Sequence, residues 1–466
     1  MSTTRQWRAQ WALAACVGLM ASAGAGAVLY VAPGGTNSAP YDSWSAAATN
    51  LKTAVDLANT YKNGSTVWVS NSVYTLTTQV VISNTIVRGY GGDRTAVVID
   101  GAATTRLFYL NHTNAVLADL TVSNGLAADT NLNGNGGGVY LNQTGALLSN
   151  CVVTACTATN SGGGVYANKG ITRDCLVAQN VAQGSGSVTA SAAGGLHVGE
   201  LAVHCTISNN QALAGLNAVG GVYLYNAAAI SNSTIVGNLG RHAGGAKNYT
   251  NVKLVNCDIR DNVASNGTDI CGGGIYADKS AIVRNCLIRG NVAYHTNTSN
   301  PAGGGVRTAM SSSDVFELQA CTVASNRTVN VNTGAGGAYL NGTNVLTDCV
   351  FYGNKSGFDP TWDTYNFVTK SCTNLAFNNC AERPLQLLPA IQGNITNSPL
   401  FQDAVQGDFH LMADSPCINT GTNMSWMTGA LDLDGNVRLD RKSGIADMGC
   451  YEHAPLGAWG TIIIMK

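Results

Sequence analysis

At 466 residues and a formal net charge of −1, the chain could hold two or three ordinary domains, or one solenoid that grows without a central core. Charged residues make up 11%, against roughly 25% in an average soluble protein, and the near-zero balance removes any electrostatic case for nucleic acid. Gly is abundant at 55 and Pro scarce at 9, which excludes collagen and Pro-rich disorder.

Residues 1–27 read as an export signal. Arg5 and Arg8 form a basic start, Trp11 to Ala23 an apolar run, and Ala25-Gly26-Ala27 a small-residue cleavage site. A lipoprotein reading competes, because Leu13-Ala14-Ala15-Cys16 has lipobox spacing. Too few apolar residues precede Cys16 for an ordinary signal core of about 7–15. No other stretch approaches the ~18 apolar residues of a membrane span. The expectation is a secreted or cell-surface protein with no spanning segment in its mature chain.

Residues 28–65 form an N-terminal cap. Ser43 can cap a helix in which Trp44, Ala48, Leu51, Val55 and Ala58 share one face, and which would cover the open end of a solenoid. From Thr66 the pattern becomes short strands: Val67–Val69, Val80–Ile82, Ile86–Arg88, Val97–Ile99, Leu107–Leu110 and Val116–Val122.

Eight regular repeats follow. The second glycine of a pair stands at Gly138, Gly164, Gly195, Gly221, Gly245, Gly274, Gly305 and Gly337, at intervals of 26, 31, 26, 24, 29, 31 and 32 residues. A second column runs Cys151, Cys175, Cys205, Ser233, Cys257, Cys286, Cys321 and Cys349. Five residues later stand Cys156, Asn180, Asn210, Asn238, Asn262, Asn291, Asn326 and Asn354. Such a period with short strands is the signature of a stacked solenoid. The fold class expected is all-β, a right-handed parallel β-helix over residues 66–381. Within it the Cys form a buried thiol column, since stacked strands hold Cβ atoms too far apart for disulfides. The Asn should bond turns and one another.

Two residues after each glycine pair comes an outward column: Tyr140, Tyr166, His197, Tyr223, Lys247, Tyr276, Arg307 and Tyr339. Its functional reading is a flat ligand-binding strip for extracellular polysaccharide or a host or cell-surface glycan, with aromatic faces under pyranose rings. Its structural reading is an aromatic ladder that supports the sheet. Catalytic candidates are sparser. Asp258, Arg260, Asp261 and Arg289 fall on adjacent coils, where they form either a lyase-type patch or a solvated ion-pair network. Asp174 and His204 make a similar outward pair. Glu200 and Asp278 lie three coils apart, too distant for a glycosidase carboxylate pair. No cofactor is expected, with Ca²⁺ entering only if the chain is a lyase. No metal site is expected either: Asp432-Leu433-Asp434-Gly435-Asn436 lacks the remaining ligands of a Ca²⁺ loop and reads as a turn.

The repeats, exemplified by Gly273-Gly274-Ile275 with Ile288-Arg289-Gly290-Asn291, resemble those of the polymorphic outer membrane proteins. Residues 382–453 form a different module, mostly irregular with some β-structure, before a tail at 454–466. Through Ser415-Pro416, Gly421, Asp432-Leu433-Asp434-Gly435-Asn436, Arg438 and Asp447-Met448-Gly449-Cys450-Tyr451-Glu452, this module resembles the choice-of-anchor Q domain. The resemblance implies a bacterial surface β-helix whose function is adhesion to, or recognition of, polysaccharide. The alternative on the same fold is a pectate lyase-like lyase or hydrolase acting on acidic polysaccharide. The family usually carries Ala where this chain has Cys417 and Cys450, so the double departure suggests a disulfide between them.

Overall fold

A computed structural model describes residues 26–61, 63–128, 132–184, 192–215, 217–266, 271–295, 302–329, 334–357, 367–370, 374–381 and 392–453. The Cys16 reading, most of the signal segment and the tail lie outside these residues. The chain is a right-handed parallel β-helix. Four parallel sheets of 13, 12, 11 and 9 strands run along it, with one strand of each contributed by a full coil. Val165–Ala167, Ile171–Arg173, Leu176–Ala178 and Val181–Ala182 make up one such coil.

Registry follows the columns read from the sequence. Val139 pairs with Val165, Val165 with Leu196, Leu196 with Val222 and Val222 with Ala246. Cys151, Cys175, Cys205, Cys257, Cys286, Cys321 and Cys349 are buried free thiols within one continuous apolar core. Burial pushes the thiols of Cys286 and Cys349 well above their ordinary range, so they pack as small neutral apolar groups.

The Asn column is an unbroken amide ladder. Asn180, Asn210, Asn238, Asn262, Asn291 and Asn326 each donate Nδ2–H to the Oδ1 of the next Asn at 2.9–3.0 Å. The same oxygen accepts the backbone N–H of the Asn before it, as Asn262 Oδ1 does from Asn238 at 3.0 Å. The glycine column leaves room for these amides and for the carbonyl of the next coil's glycine, which a Cβ on Gly245 would meet at 2.6 Å. A Cβ on Gly245 would lie 3.0 Å from Asn262 Nδ2, and one on Gly164 2.7 Å from Asn180 Nδ2. Glycine, thiol and amide are therefore one packing unit.

Corners explain a pattern the sequence reading passed over. The residue before each member of the Cys column, Ser233 included, is left-handed: Asn150, Asp174, His204, Asn232, Asn256, Asn285, Ala320 and Asp348 have φ between 48° and 56°. Asn and Asp tolerate that region better than other side chains. Asp119 does the same at φ 59° and splits the expected strand Val116–Val122 into Val116–Ala118 and Thr121–Ser123. Asp174 and His204 are such corner residues, and their 3.3 Å contact is well exposed.

The N-terminal helix is shorter than expected. It spans Leu51–Ala58 and is capped by Asn50, whose Oδ1 accepts from Thr53 N, not by Ser43. Ala48 is held instead by the first strand, donating to Tyr30 O and accepting from Ala32 N. That pairing keeps the preceding segment extended. Trp44 consequently packs against Tyr30 and Tyr90 rather than on the helix. Leu51, Ala54, Val55 and Ala58 are buried against the first coil, as a capping helix requires.

Candidate functional site

The outward column stacks in register from Tyr109, one coil earlier than the sequence reading began it, through Tyr140 and Tyr166 to His197 and Tyr223. It is not an exposed strip. Tyr140, His197, Tyr223, Lys247, Tyr276, Arg307 and Tyr339 are buried, and Tyr109 and Tyr166 are half-buried. The rings cover one another: Tyr166 and His197 stack at 4.1 Å, and Tyr140 lies 4.9 Å from Tyr166. Lys247 and Arg307 sit over Tyr276 and Tyr339 at 5.0 and 4.5 Å. Stacked rings hide their faces, so most of the column supports the sheet.

Accessible chemistry lies one position pair further along the strand. Tyr225 and Tyr249, each two residues beyond the column, are 37% and 38% exposed and stack at 4.9 Å with planes 17° apart. They flank a groove of about 540 Å³ that Tyr166 and His197 also line. Amides of Asn135, Asn160, Asn168 and Asn217 share that lining, and Lys247, Asp278 and Lys279 close it on the side of the later coils. Asp278 accepts from Lys247 Nζ at 2.6 Å. Burial pushes the His197 imidazole down to about 3, so it is neutral, and its Nδ1 has no hydrogen-bond partner. Burial likewise pushes the Tyr276 phenol up to about 12. The groove thus offers aromatic edges and outer faces, phenol and amide hydrogen bonds, and one internally matched ion pair. The sequence held a signal for Tyr225 and Tyr249, since adjacent coils carry Tyr at the same offset from the glycine pair.

The second candidate patch is assembled but lies elsewhere. Asp258 Oδ2 accepts from Arg260 Nε at 2.9 Å and from Arg289 Nη2 at 3.4 Å, and Arg260 reaches Asp261 at 3.2 Å. Its members hold one another on the sheet of the Cys-column strands. Gly407 of the C-terminal module packs over Arg289. Of the other carboxylates, Glu200 accepts from Gly170 N. Asp432 accepts from the backbone of Asp434, Asn436 and Glu452, which closes a turn.

That module first stacks on the last coil, where Ile395 bridges Cys380 and Asn394 Oδ1 accepts from Asn379, and its remainder turns back along the solenoid. This part lies along the outer face of the last coils, with Phe409 and Cys450 against Leu287 and Ala324, and Cys417 and Met448 against Val350 and Cys380. Cys417 and Cys450 therefore occupy separate apolar clusters as free thiols, and the suggested disulfide is not formed. Arg438, fully buried, binds Glu452 at 3.0 Å, donates to the carbonyls of Gly449 and Asp447, and reaches Asn285 on the solenoid.

Asp348 completes the docking. Its backbone O accepts from Gly449 N, its Oδ1 accepts from Thr422 N at 2.7 Å, and its buried Oδ2 has no partner. Burial raises this carboxyl from 3.8 to about 7, against the pull of Thr422 and Arg438. The folded protein then binds the proton more tightly than the unfolded chain. The contribution of this group to stability is full below about pH 4 and is lost as pH rises to about 7. Asp348→Asn should remove this share of the pH dependence, leaving that of Glu452 and Asp447, and raise the thermal midpoint at pH 8 while changing little at pH 4. Melting curves at the two pH values check this, and an equal drop at both would contradict it.

No protein-family model matches the chain, and no curated protein matches it in sequence. Solved structures similar to it include a pectate lyase at 15% identity, covering 92% of this chain and 96% of that one, with a TM-score of 0.47. A mannuronan epimerase module of Azotobacter vinelandii aligns at 16% identity over 70% and 94%, with a TM-score of 0.32. A surface adhesin of Streptococcus pneumoniae aligns at 12% over 70% and 95%, with a TM-score of 0.31. At such identities no residue role transfers from one chain to another, and the groove is interpreted through its own side chains.

Proposed function

We propose that this β-helix binds extracellular polysaccharide at the groove beside Tyr225 and Tyr249, as an exported surface or secreted recognition protein. One observation carries the reading: a half-exposed aromatic pair borders a groove lined by amides and phenols. That mixture suits sugars, whose rings present C–H faces to aromatics and hydroxyls to amides. A binding role without turnover fits the carboxylates. Asp278 is held by Lys247, Glu200 by a backbone amide, and Asp258 by two arginines outside the groove.

Replacing both Tyr225 and Tyr249 by Ala should weaken polysaccharide binding at least about tenfold, since each ring contributes on the order of 1 kcal/mol of stacking and hydrogen bonding. Affinity electrophoresis against a polysaccharide panel measures it, with melting curves to verify folding. Retention unchanged in the double variant, or release of oligosaccharides by the wild type, would reject the reading.

A further inference from the structure

Every cation that lines the groove, among the described residues, already holds a carboxylate. Lys247 is almost wholly buried beneath Asp278 at 2.6 Å, and Lys279 reaches Asp314 at 3.4 Å. His197 is a neutral imidazole with Nδ1 unpartnered, and the remaining lining groups are amides, phenols and the Ser161 hydroxyl. A polymer carrying one carboxylate per sugar would find no unmatched positive charge. It would have to give up the hydration of each anion against the Asp278 carboxylate, whose side chain is 30% exposed. An uncharged polymer meets no such cost.

We infer that the groove selects neutral polysaccharide over polyuronate, and that Asp278 sets this preference by neutralising Lys247. The inference rests on the glycan-binding reading above and assigns its substrate class. Lys247 cannot swing away to serve an anionic sugar, because its stem is buried and its ammonium lies over the Tyr276 ring at 5.0 Å. Selectivity is therefore built into one coil-to-coil ion pair. Asp278→Asn keeps an oxygen for Lys247 Nζ but removes the negative charge, so the fixed ammonium is no longer neutralised and its field attracts a sugar carboxylate to the groove.

The test is affinity electrophoresis of the full chain through galactomannan, mixed-linkage glucan, polygalacturonate and alginate, at low and high salt. Wild-type protein should be retarded by a neutral polymer, independently of salt, and not by the polyuronates. Asp278→Asn should gain about tenfold or more in polyuronate affinity, suppressed by salt, with neutral binding little changed. Wild-type retention by polyuronate equal to that by neutral polymer overturns the inference, and so does a folded Asp278→Asn variant with no gain. If the variant does not fold, the wild-type comparison still decides. Failure to bind any of the four polymers rejects the glycan reading as well, so the two failures are distinguishable.

Discussion

Asn262→Ala should cost the solenoid about 3–5 kcal/mol, among the largest effects of any single side chain outside the apolar core. The amide is buried and serves three coils. Its Oδ1 takes both the backbone N–H and the Nδ2–H of Asn238, and its Nδ2–H goes to Ile235 O and to Asn291. Truncation orphans the buried Asn238 N–H, and strips the Ile235 carbonyl of its side-chain donor, leaving it the ladder bond alone. Such an orphan costs on the order of 1–3 kcal/mol, and the space opened beside Gly245 adds a cavity. Urea unfolding followed by circular dichroism gives the total, and hydrogen exchange should show protection lost first at Asn238 and its neighbours. A change below about 1 kcal/mol would mean the ladder is ornamental.

Arg438→Met should release the C-terminal module from the solenoid at a comparable cost of about 3–5 kcal/mol, because it strands two buried carbonyls and takes the cation partner from a Glu452 carboxyl that burial already pushes up to about 9. Glu452 loses its 3.0 Å partner, and Gly449 and Asp447 lose the guanidinium that ties them to Asn285. Arg438→Lys should recover little, since one ammonium cannot span the same set of acceptors. Arg438→Met with Glu452→Gln should recover part of the loss, most at alkaline pH, by removing a buried carboxyl that has lost its cation. Limited proteolysis reads the outcome: cleavage within residues 398–453 should rise while the coils from Val139 to Ala324 keep their protection. Cooperative loss of both regions together would contradict separable docking.

How far the sequence foretold these features depended on whether a feature repeats. Gly245, Cys257 and Asn262 recur at fixed offsets in neighbouring coils, so their columns and the buried thiol ladder were legible, and the registers agree. Burial of the Tyr140–Tyr339 column was not legible. Alternation shows that these side chains leave the lumen, but not that they stack face to face once outside it. Tyr225 and Tyr249 escaped notice because Asn168, Gly199 and Asp278 occupy the same offset on other coils, so the column has no common chemistry. The side-on docking of the module depends on contacts such as Arg438 with Asn285, 153 positions apart and outside any repeat. For the same reason the Cys417–Cys450 pairing failed. Each thiol fills a small apolar site against a different part of the solenoid, and nothing local to the module records that. Ser43 misled through a local rule, N-capping, that sheet pairing at Ala48 overrode.

The central claim is that sugar is recognised at the Tyr225–Tyr249 groove and not along the buried ladder or the Asp258–Arg289 face. A crystal structure with a neutral oligosaccharide bound tests it most directly. A pyranose should lie against Tyr225 or Tyr249, with hydroxyls on the amides of Asn168 or Asn217. A sugar seated over Arg260 and Arg289, with that groove empty, would contradict it.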